Sequence, residues 1–162
     1  MSMKEDLSLS EAFVEDHRHL TQGLSNILQA LRDDNLERAI QMAEDLDRVA
    51  GPHIEFEEEL LYPEVGKSRS PDYVSRLYRE HQVALAAVKA LINSKTQGRL
   101  EPQLKEQILQ NLKTGLDHAI SCGNLLSHVT SLDQKRQDEM LARLLDLRRI
   151  GRRWSELSTS KK

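Results

Sequence analysis

Residues 53–63 read HIEFEEELLYP and carry the strongest evidence for the architecture of this chain. His53 and Glu57 are four residues apart, which places both side chains on one face of a helix, one turn from each other. That face also carries Ala50 and Leu61, so we expect it to be buried. A buried carboxylate costs several kcal/mol unless it is neutralised or binds a cation, so Glu57 indicates a metal. Three other carboxylates lie off this face and are expected to be solvated: Glu55, Glu58 and Glu59.

On either side of this stretch, apolar residues at helical spacing predict four long helices and a shorter fifth. Their approximate bounds are 10–31, 36–65, 71–93 and 102–130, with the last helix starting near 133. Pro52 has no N–H to donate to the carbonyl four residues earlier, so Gly51-Pro52 predicts a kink or bulge just before His53. We therefore predict an all-α protein, an up-down-up-down four-helix bundle with an additional C-terminal helix.

The net charge divides the chain into an acidic region and a shorter basic region. The 162 residues are 30% charged and only 4% aromatic, which favours helices over sheets. Residues 1–134 carry 14 Lys/Arg and 22 Asp/Glu, a balance of −8, whereas residues 135–162 carry 9 and 4, a balance of +5. We assign residues 1–132 to the bundle and residues 133–162 to an amphipathic, basic helix with a short disordered tail. A solvated charged helix explains this basic region better than nucleic acid binding does.

The sequence favours a soluble cytoplasmic protein. No apolar run approaches the ~20 residues that span a membrane, and residues 1–10 lack the basic and apolar regions of a signal peptide. The single cysteine, Cys122, cannot form an internal disulfide, which fits a reducing compartment. No pattern indicates an oligomeric state.

Four of the six histidines fall on the apolar stripes, one on each long helix: His17, His53, His81 and His118. A single histidine on an apolar face is usually a core residue satisfied by a hydrogen bond, but four on four helices indicate a shared site. Counted from the helix ends at ~1.5 Å per residue, His17 and His53 lie at levels that agree within about 5 Å. The other two reach the same layer. His19 and His128 lie off the stripes and are expected at the surface.

The two halves of the chain repeat one pattern. His17 and His53 are 36 residues apart, and His81 and His118 are 37 apart. The segment HIEFEEELL from residue 53 aligns with HAISCGNLL from residue 118. Each half therefore contains one histidine and then a second histidine that begins a five-residue motif. This motif is His-x-x-x-Glu in the first half and His-x-x-x-Cys in the second.

Four segments carry a resemblance to the hemerythrin-like (HHE cation-binding) family, over about residues 10–130: Asp16-His17-Arg18, residues 53–63, Glu80-His81 and Asp117-His118. In that family, residues at the matching positions bind two irons, with carboxylates bridging the ions and open positions for O2 or NO. The resemblance thus implies five ligands here: His17, His53, Glu57, His81 and His118.

The chain departs from the family pattern at two places. The respiratory oxygen carriers have a second histidine one turn away on the third helix, where this sequence has Leu77 and Leu85. The chain therefore looks more like bacterial sensing, storage or repair members. Cys122 occupies the second bridging position, and it is interpreted as a buried filler, a thiolate ligand to iron or a redox switch. With that carboxylate missing, one iron is the alternative to two.

The resemblance implies a non-haem iron protein that binds or senses O2, NO or another small diatomic ligand, or serves iron and redox homeostasis. One alternative is an oxidoreductase acting on peroxide, superoxide or NO at the same centre, and another is a structural bundle with vestigial histidines. Imidazole and carboxylate donors also suit zinc or manganese, so iron rests on the resemblance. The sequence lacks the Glu-x-x-His pairs of ferritin-like proteins, a His-Glu-x-x-His motif and a Cys-x-x-Cys pair.

Overall fold

The regular structure of the described residues is helical. The computed structural model describes residues 7–157, and no strand occurs among them. The α-helices are α1 (Leu9–Arg32), α2 (Leu36–Phe56), α3 (Tyr62–Val65), α4 (Pro71–Asn93), α5 (Pro102–Cys122), α6 (Leu126–Ser131) and α7 (Gln134–Ile150). A π-helical turn, Glu57–Leu61, joins α2 to α3, and 3₁₀ turns occur at Ser94–Thr96, Gly123–Leu125 and Trp154–Glu156. The predicted disordered tail lies outside the described residues.

The long helices form the predicted four-helix bundle. Helix α1 packs against α2 and α5, and α4 packs against the same two helices, so the four close into a ring. Short connections between consecutive helices give the up-down-up-down order. Helix α7, the predicted additional helix, packs on the outside against α1 and α2. Within residues 7–157, no helix is long and apolar enough to cross a membrane.

Side-chain caps fix the starts of the helices. The Ser8 hydroxyl accepts from the Glu11 N–H and the Glu11 carboxylate accepts from the Ser8 N–H, at 3.1 and 3.0 Å, a reciprocal cap for α1. Ser70 caps α4, with Pro71 at its first position, and Asp133 caps α7. Helix α5 instead begins at Pro102 without a side-chain hydrogen bond at its cap.

The second helix is interrupted, but not where the sequence predicts. Helix α2 remains α-helical through Pro52, and the irregular turn follows His53 at Glu57–Leu61. In this turn the Tyr62 N–H donates to the Glu57 carbonyl, five residues back instead of four. The corresponding part of the second half is wound more tightly, because Gly123–Leu125 is a 3₁₀ turn. The two halves therefore diverge after their His-x-x-x motifs.

The core consists of two apolar clusters with a polar layer between them. One contains Leu24, Leu85 and Leu112, and the other contains Phe13 and Phe56. The buried histidines and Glu57 lie where the two clusters meet, because each histidine is flanked along its helix by residues from both. The polar atoms of this layer are shielded from solvent, so they need hydrogen-bond partners or a bound cation within the core.

The basic residues of α7 and the chain after it are paired with acidic residues of the bundle. Arg148 lies 2.8 Å from Asp16, and Arg152 lies 2.6 Å from Glu55. Arg143 contacts both oxygens of Glu59, at 2.7 and 3.0 Å. Part of the local excess of positive charge is thus matched within the chain.

A short C-terminal strap, residues 151–157, closes over the bundle. Gly151 adopts φ +67°, a left-handed conformation that ends α7 and turns the chain back. Trp154 then inserts into the first apolar cluster and is only 3% exposed. Asp47, which is buried, accepts hydrogen bonds from the Ser155 N–H and hydroxyl, both at 2.7 Å. Gly51 lies directly under the strap, where a Cβ atom would collide with the Arg152 carbonyl oxygen.

Candidate metal centre

The polar layer brings one histidine from each long helix together: His17 from α1, His53 from α2, His81 from α4 and His118 from α5. All four are buried. The rings of His17 and His53 are 4.6 Å apart, and those of His81 and His118 are 4.7 Å apart. The layer predicted from the helix lengths is thus present, and it consists of two imidazole pairs. His19 is exposed and His128 is partly exposed, and neither lies in the layer.

Glu57 lies between the two pairs and is fully buried. Its Oε2 atom is 3.3 Å from His17 Nε2 and 3.1 Å from His53 Nε2. Its Oε1 atom is 3.1 Å from His81 Nε2, and the donor atoms of His81, His118 and Glu57 all lie within 4.8 Å of one another. One carboxylate therefore presents a different oxygen to each imidazole pair.

Each histidine ring turns its Nδ1 atom outward to an acceptor. The acceptors are the Phe13 carbonyl, 3.1 Å from His17, Asp16 Oδ2, 3.3 Å from His53, Glu58 Oε2, 2.8 Å from His81, and Glu80 Oε1, 2.8 Å from His118. The Asp16 contact is close enough for a charged pair but is not aligned as a hydrogen bond. Acceptors at Nδ1 favour a proton there, so each ring in its neutral form points an Nε2 lone pair inward, as metal-ligating imidazoles require.

Two of the inward nitrogens are orphaned, and this is the test of whether a cation fits. His17 Nε2 and His53 Nε2 are buried and have no aligned hydrogen-bond partner among the described residues. They face Glu57 Oε2, which has lone pairs but no proton when the carboxylate is ionised. The Nε2 lone pairs of the neutral rings converge with this carboxylate, and a cation stabilises buried lone pairs in such an arrangement, so the residues fit a metal.

The charges within the layer are strongly coupled. Burial opposes ionisation of Glu57, yet His53, His81 and His17 hold the pKa of its carboxyl well below the usual range. Burial also opposes protonation of His53, but Glu57 and Asp16 raise the pKa of that imidazole to about 10. For His17, burial prevails over Glu57 and lowers the pKa to about 4. Burial also opposes protonation of His81, but its contacts with Glu57 and Glu58 raise the pKa of that imidazole overall.

Residues 8–121 match the protein family described as "Hemerythrin HHE cation binding domain". The chain belongs to the hemerythrin HHE family. The matched part includes the four histidines of the layer and Glu57, and it ends next to Cys122. No curated protein and no solved structure shows significant similarity to the chain. The match supports a cation-binding domain built on this buried layer.

Cys122 lies next to Glu57 and could act as a further metal ligand. Its Sγ atom is 3.7 Å from Glu57 Oε2 and 3.8 Å from the Tyr62 hydroxyl. The donor atoms of Cys122, His17 and Glu57 also lie within 4.8 Å of one another. Burial, followed by the charge of Glu57, raises the pKa of the Cys122 thiol well above its usual range. Without a metal the side chain is thus a thiol, and only a cation would favour the thiolate.

Three carboxylates outside the layer are not predicted as site residues, although two of them stand beside a layer histidine in the sequence. Asp16 precedes His17 but contacts His53, and Glu80 precedes His81 but contacts His118. This crossed pairing occurs in both halves, so an acid directly before the first histidine of each half is a usable signal.

The predicted exposure of Glu58 is wrong. The sequence predicts that it is solvated, but it accepts a 2.8 Å hydrogen bond from His81 Nδ1 because α2 and α4 pack closely at this level. Glu55 and Glu59 instead pair with arginines of the C-terminal region.

Metal affinity should depend on pH because protons and the metal compete for the same atoms. His53, with its pKa near 10, must release its Nε2 proton to bind. We expect the affinity for ferrous iron to rise between about pH 6 and 8, by roughly tenfold per pH unit for each proton released. Anaerobic competition with a chelator at several pH values measures this slope. An affinity that stays constant over the range would show that no protonated residue of the layer binds the ion.

Proposed function

We propose that this HHE protein is a non-haem iron protein that binds or senses O2 or NO at the buried layer, or serves iron and redox homeostasis there. One observation carries the proposal: a single buried carboxylate, Glu57, faces Nε2 atoms on both sides of the bundle core. The ligands we propose are His17, His53, Glu57, His81, His118 and Cys122. Zinc and manganese suit the same donors, so the choice of iron rests on the family.

The arrangement supports two ions that share Glu57. His17 and His53 would hold one ion together with Glu57 Oε2, and His81 and His118 would hold the other together with Oε1. Cys122 Sγ lies closest to the first of these groups. Because cysteine replaces the second bridging carboxylate of the family, a single ion is the alternative, and the metal content per chain decides between them.

The protein contributes orientation and exclusion of water. Glu58 and Glu80 hold the rings of His81 and His118 through their Nδ1 atoms, and Asp16 lies beside Nδ1 of His53. The apolar clusters on both sides shield the layer from solvent, and its histidines and Glu57 are buried. Iron, when bound, supplies a redox-active centre for a diatomic ligand. A reducing cytoplasm, the location we propose, would maintain the ferrous form that such ligands require.

Anaerobic loading with ferrous iron, followed by metal analysis and optical spectra, tests this proposal. Addition of O2 or NO should produce ligand-to-iron charge-transfer bands in a protein that holds one or two irons per chain. Turnover of peroxide, superoxide or NO would instead support an oxidoreductase at the same centre. A chain that takes up no iron from the ferrous state would contradict the proposal and favour the structural bundle.

His17 and His19 form a matched pair of test positions on α1. His17→Ala removes a ring from the layer, so we expect bound iron to fall by about half or more, whereas His19→Ala removes an exposed ring and should leave the metal content unchanged. Metal analysis of both variants after identical loading provides the comparison. Equal losses in the two variants would mean that α1 does not present His17 to the metal.

A further inference from the structure

We infer that the phenol oxygen of Tyr62 is a metal ligand, completing the half of the centre formed by His81, His118 and Glu57 Oε1. The inference rests on the proposed metal centre and adds a donor that neither the family match nor the sequence pattern assigns. It depends on three observations: the helical winding at Tyr62, the atoms around its hydroxyl and the contrast with the second half of the chain.

The π-helical turn brings Tyr62 onto the metal-facing side. In an uninterrupted α-helix, a residue five positions after Glu57 would be rotated by ~140° from it, at ~100° per residue, and would point away from the layer. Here the Tyr62 N–H donates to the Glu57 carbonyl, so five residues complete the turn and Tyr62 stacks above Glu57. Its ring is fully buried. π-Helical turns of this kind are frequent at functional sites.

The hydroxyl of Tyr62 has more acceptors around it than it can satisfy. It lies 2.9 Å from His81 Nε2, 3.2 Å from His118 Nε2 and 3.3 Å from Glu57 Oε1. Both rings direct Nδ1 at carboxylates, so in their neutral form, which is the form that binds a metal, their Nε2 atoms offer lone pairs, as Glu57 does. Once His81 has released the Nε2 proton that it can share with Glu57 Oε1 at 3.1 Å, one phenol proton cannot serve three acceptors at once. Four oxygen and nitrogen donors that converge at such separations form instead the shell of a cation.

In the second half of the chain, no tyrosine occupies the position that corresponds to Tyr62. The residue five positions after Cys122 is Ser127, which is exposed; a 3₁₀ turn, Gly123–Leu125, follows Cys122 where a π-helical turn follows Phe56. The second half of the chain contributes the Cys122 thiol instead, and its Sγ atom lies 3.7 Å from Glu57 Oε2. The two halves of the centre therefore offer different donors, an oxygen from Tyr62 in one and a sulfur from Cys122 in the other.

Binding in this way requires an ionised ligand. The O–H bond of Tyr62 breaks, the proton is released to solvent and the phenolate oxygen donates an electron pair to the cation. No oxidant is needed. A phenolate bound to ferric iron absorbs visible light by ligand-to-metal charge transfer, and excitation in that band enhances tyrosine ring modes in the resonance Raman spectrum. The chain has three tyrosines, Tyr62, Tyr73 and Tyr78, so the assignment can be made by substitution.

The experiment compares the unaltered protein with Tyr62→Phe, Tyr78→Phe and Cys122→Ser, each loaded with iron and oxidised. Tyr78 is the matched control, because its ring packs 5.2 Å from that of Tyr62 while its hydroxyl donates to the Glu58 carbonyl. The unaltered protein is also produced with ring-deuterated tyrosine, so that the test does not depend on any variant folding. We expect a visible band whose ring modes shift on deuteration, which is lost in Tyr62→Phe and retained in the other two variants.

The outcomes separate the inference from the proposed function. An unaltered protein that binds iron but shows no mode sensitive to tyrosine deuteration would overturn the Tyr62 ligand and leave the iron centre in place. Retention of the tyrosine modes in Tyr62→Phe would overturn it as well. A band lost only in Cys122→Ser would identify a thiolate instead of a phenolate. If no iron is bound by the unaltered protein, the proposed function fails first and the inference fails with it.

Discussion

Replacing Glu57 by alanine is expected to abolish metal binding in both halves of the centre. Its two oxygens face different imidazole pairs, so its removal takes a ligand from each half. Loss of an outer carboxylate typically lowers metal affinity about 10–100-fold, and loss of this shared ligand should exceed that range in each half. Iron per chain after loading and desalting should fall to nearly zero.

Glu59→Ala is the matched control for this substitution. Glu59 belongs to the same acidic run, but it pairs with Arg143 at the surface and lies outside the layer. Its removal should leave the iron content and spectrum unchanged. Retention of one tightly bound iron by Glu57→Ala would show that one imidazole pair binds without the carboxylate. The shared-ligand arrangement would then be wrong.

Replacing Trp154 by alanine should have the largest effect on folding. The indole is 3% exposed and belongs to the larger apolar cluster, where truncation of an aromatic residue costs about 3–5 kcal/mol of unfolding free energy. Urea denaturation of the metal-free protein, followed by circular dichroism, measures the loss without a contribution from metal. We expect a lower midpoint with an unchanged slope.

Ile150→Ala provides the control in the same region, because Ile150 is 49% exposed. A surface truncation of this kind changes stability by about 0.5 kcal/mol or less. Gly51→Ala should reproduce the effect of Trp154→Ala from the other side, since its methyl group would collide with the strap that carries the indole. A Trp154→Ala protein as stable as Ile150→Ala would mean that the strap is not part of the core in solution.

Helical periodicity was sufficient to predict the bundle and the histidine layer. The apolar stripes repeat every three to four residues, and His17, His53, His81 and His118 lie in phase with them, so ideal α-helical geometry predicts their meeting. The starts of α4 and α7, predicted near residues 71 and 133, lie at Pro71 and Gln134.

What the sequence did not predict depends on departures from that geometry. Tyr62 faces away from Glu57 in an ideal α-helix, so only the π-helical turn reveals its position in the layer. Glu58 was assigned to solvent for the same reason, since its contact with His81 depends on how α2 packs against α4. Trp154 follows Gly151, beyond the last apolar stripe, and no periodicity indicates that it is buried.

The π-helical turn also affects how this motif can be found in other sequences. A turn of five residues in place of four accommodates one extra residue without rotating the helix on either side of it. Deleting one residue between Glu57 and Tyr62 should therefore restore α-helical winding, with the tyrosine four positions after the glutamate and still above it. Chains with His-x3-Glu-x3-Tyr and chains with His-x3-Glu-x4-Tyr can thus build the same arrangement of side chains. A search pattern of fixed length would separate them, and a one-residue gap in an alignment at this point would be compatible with an intact site.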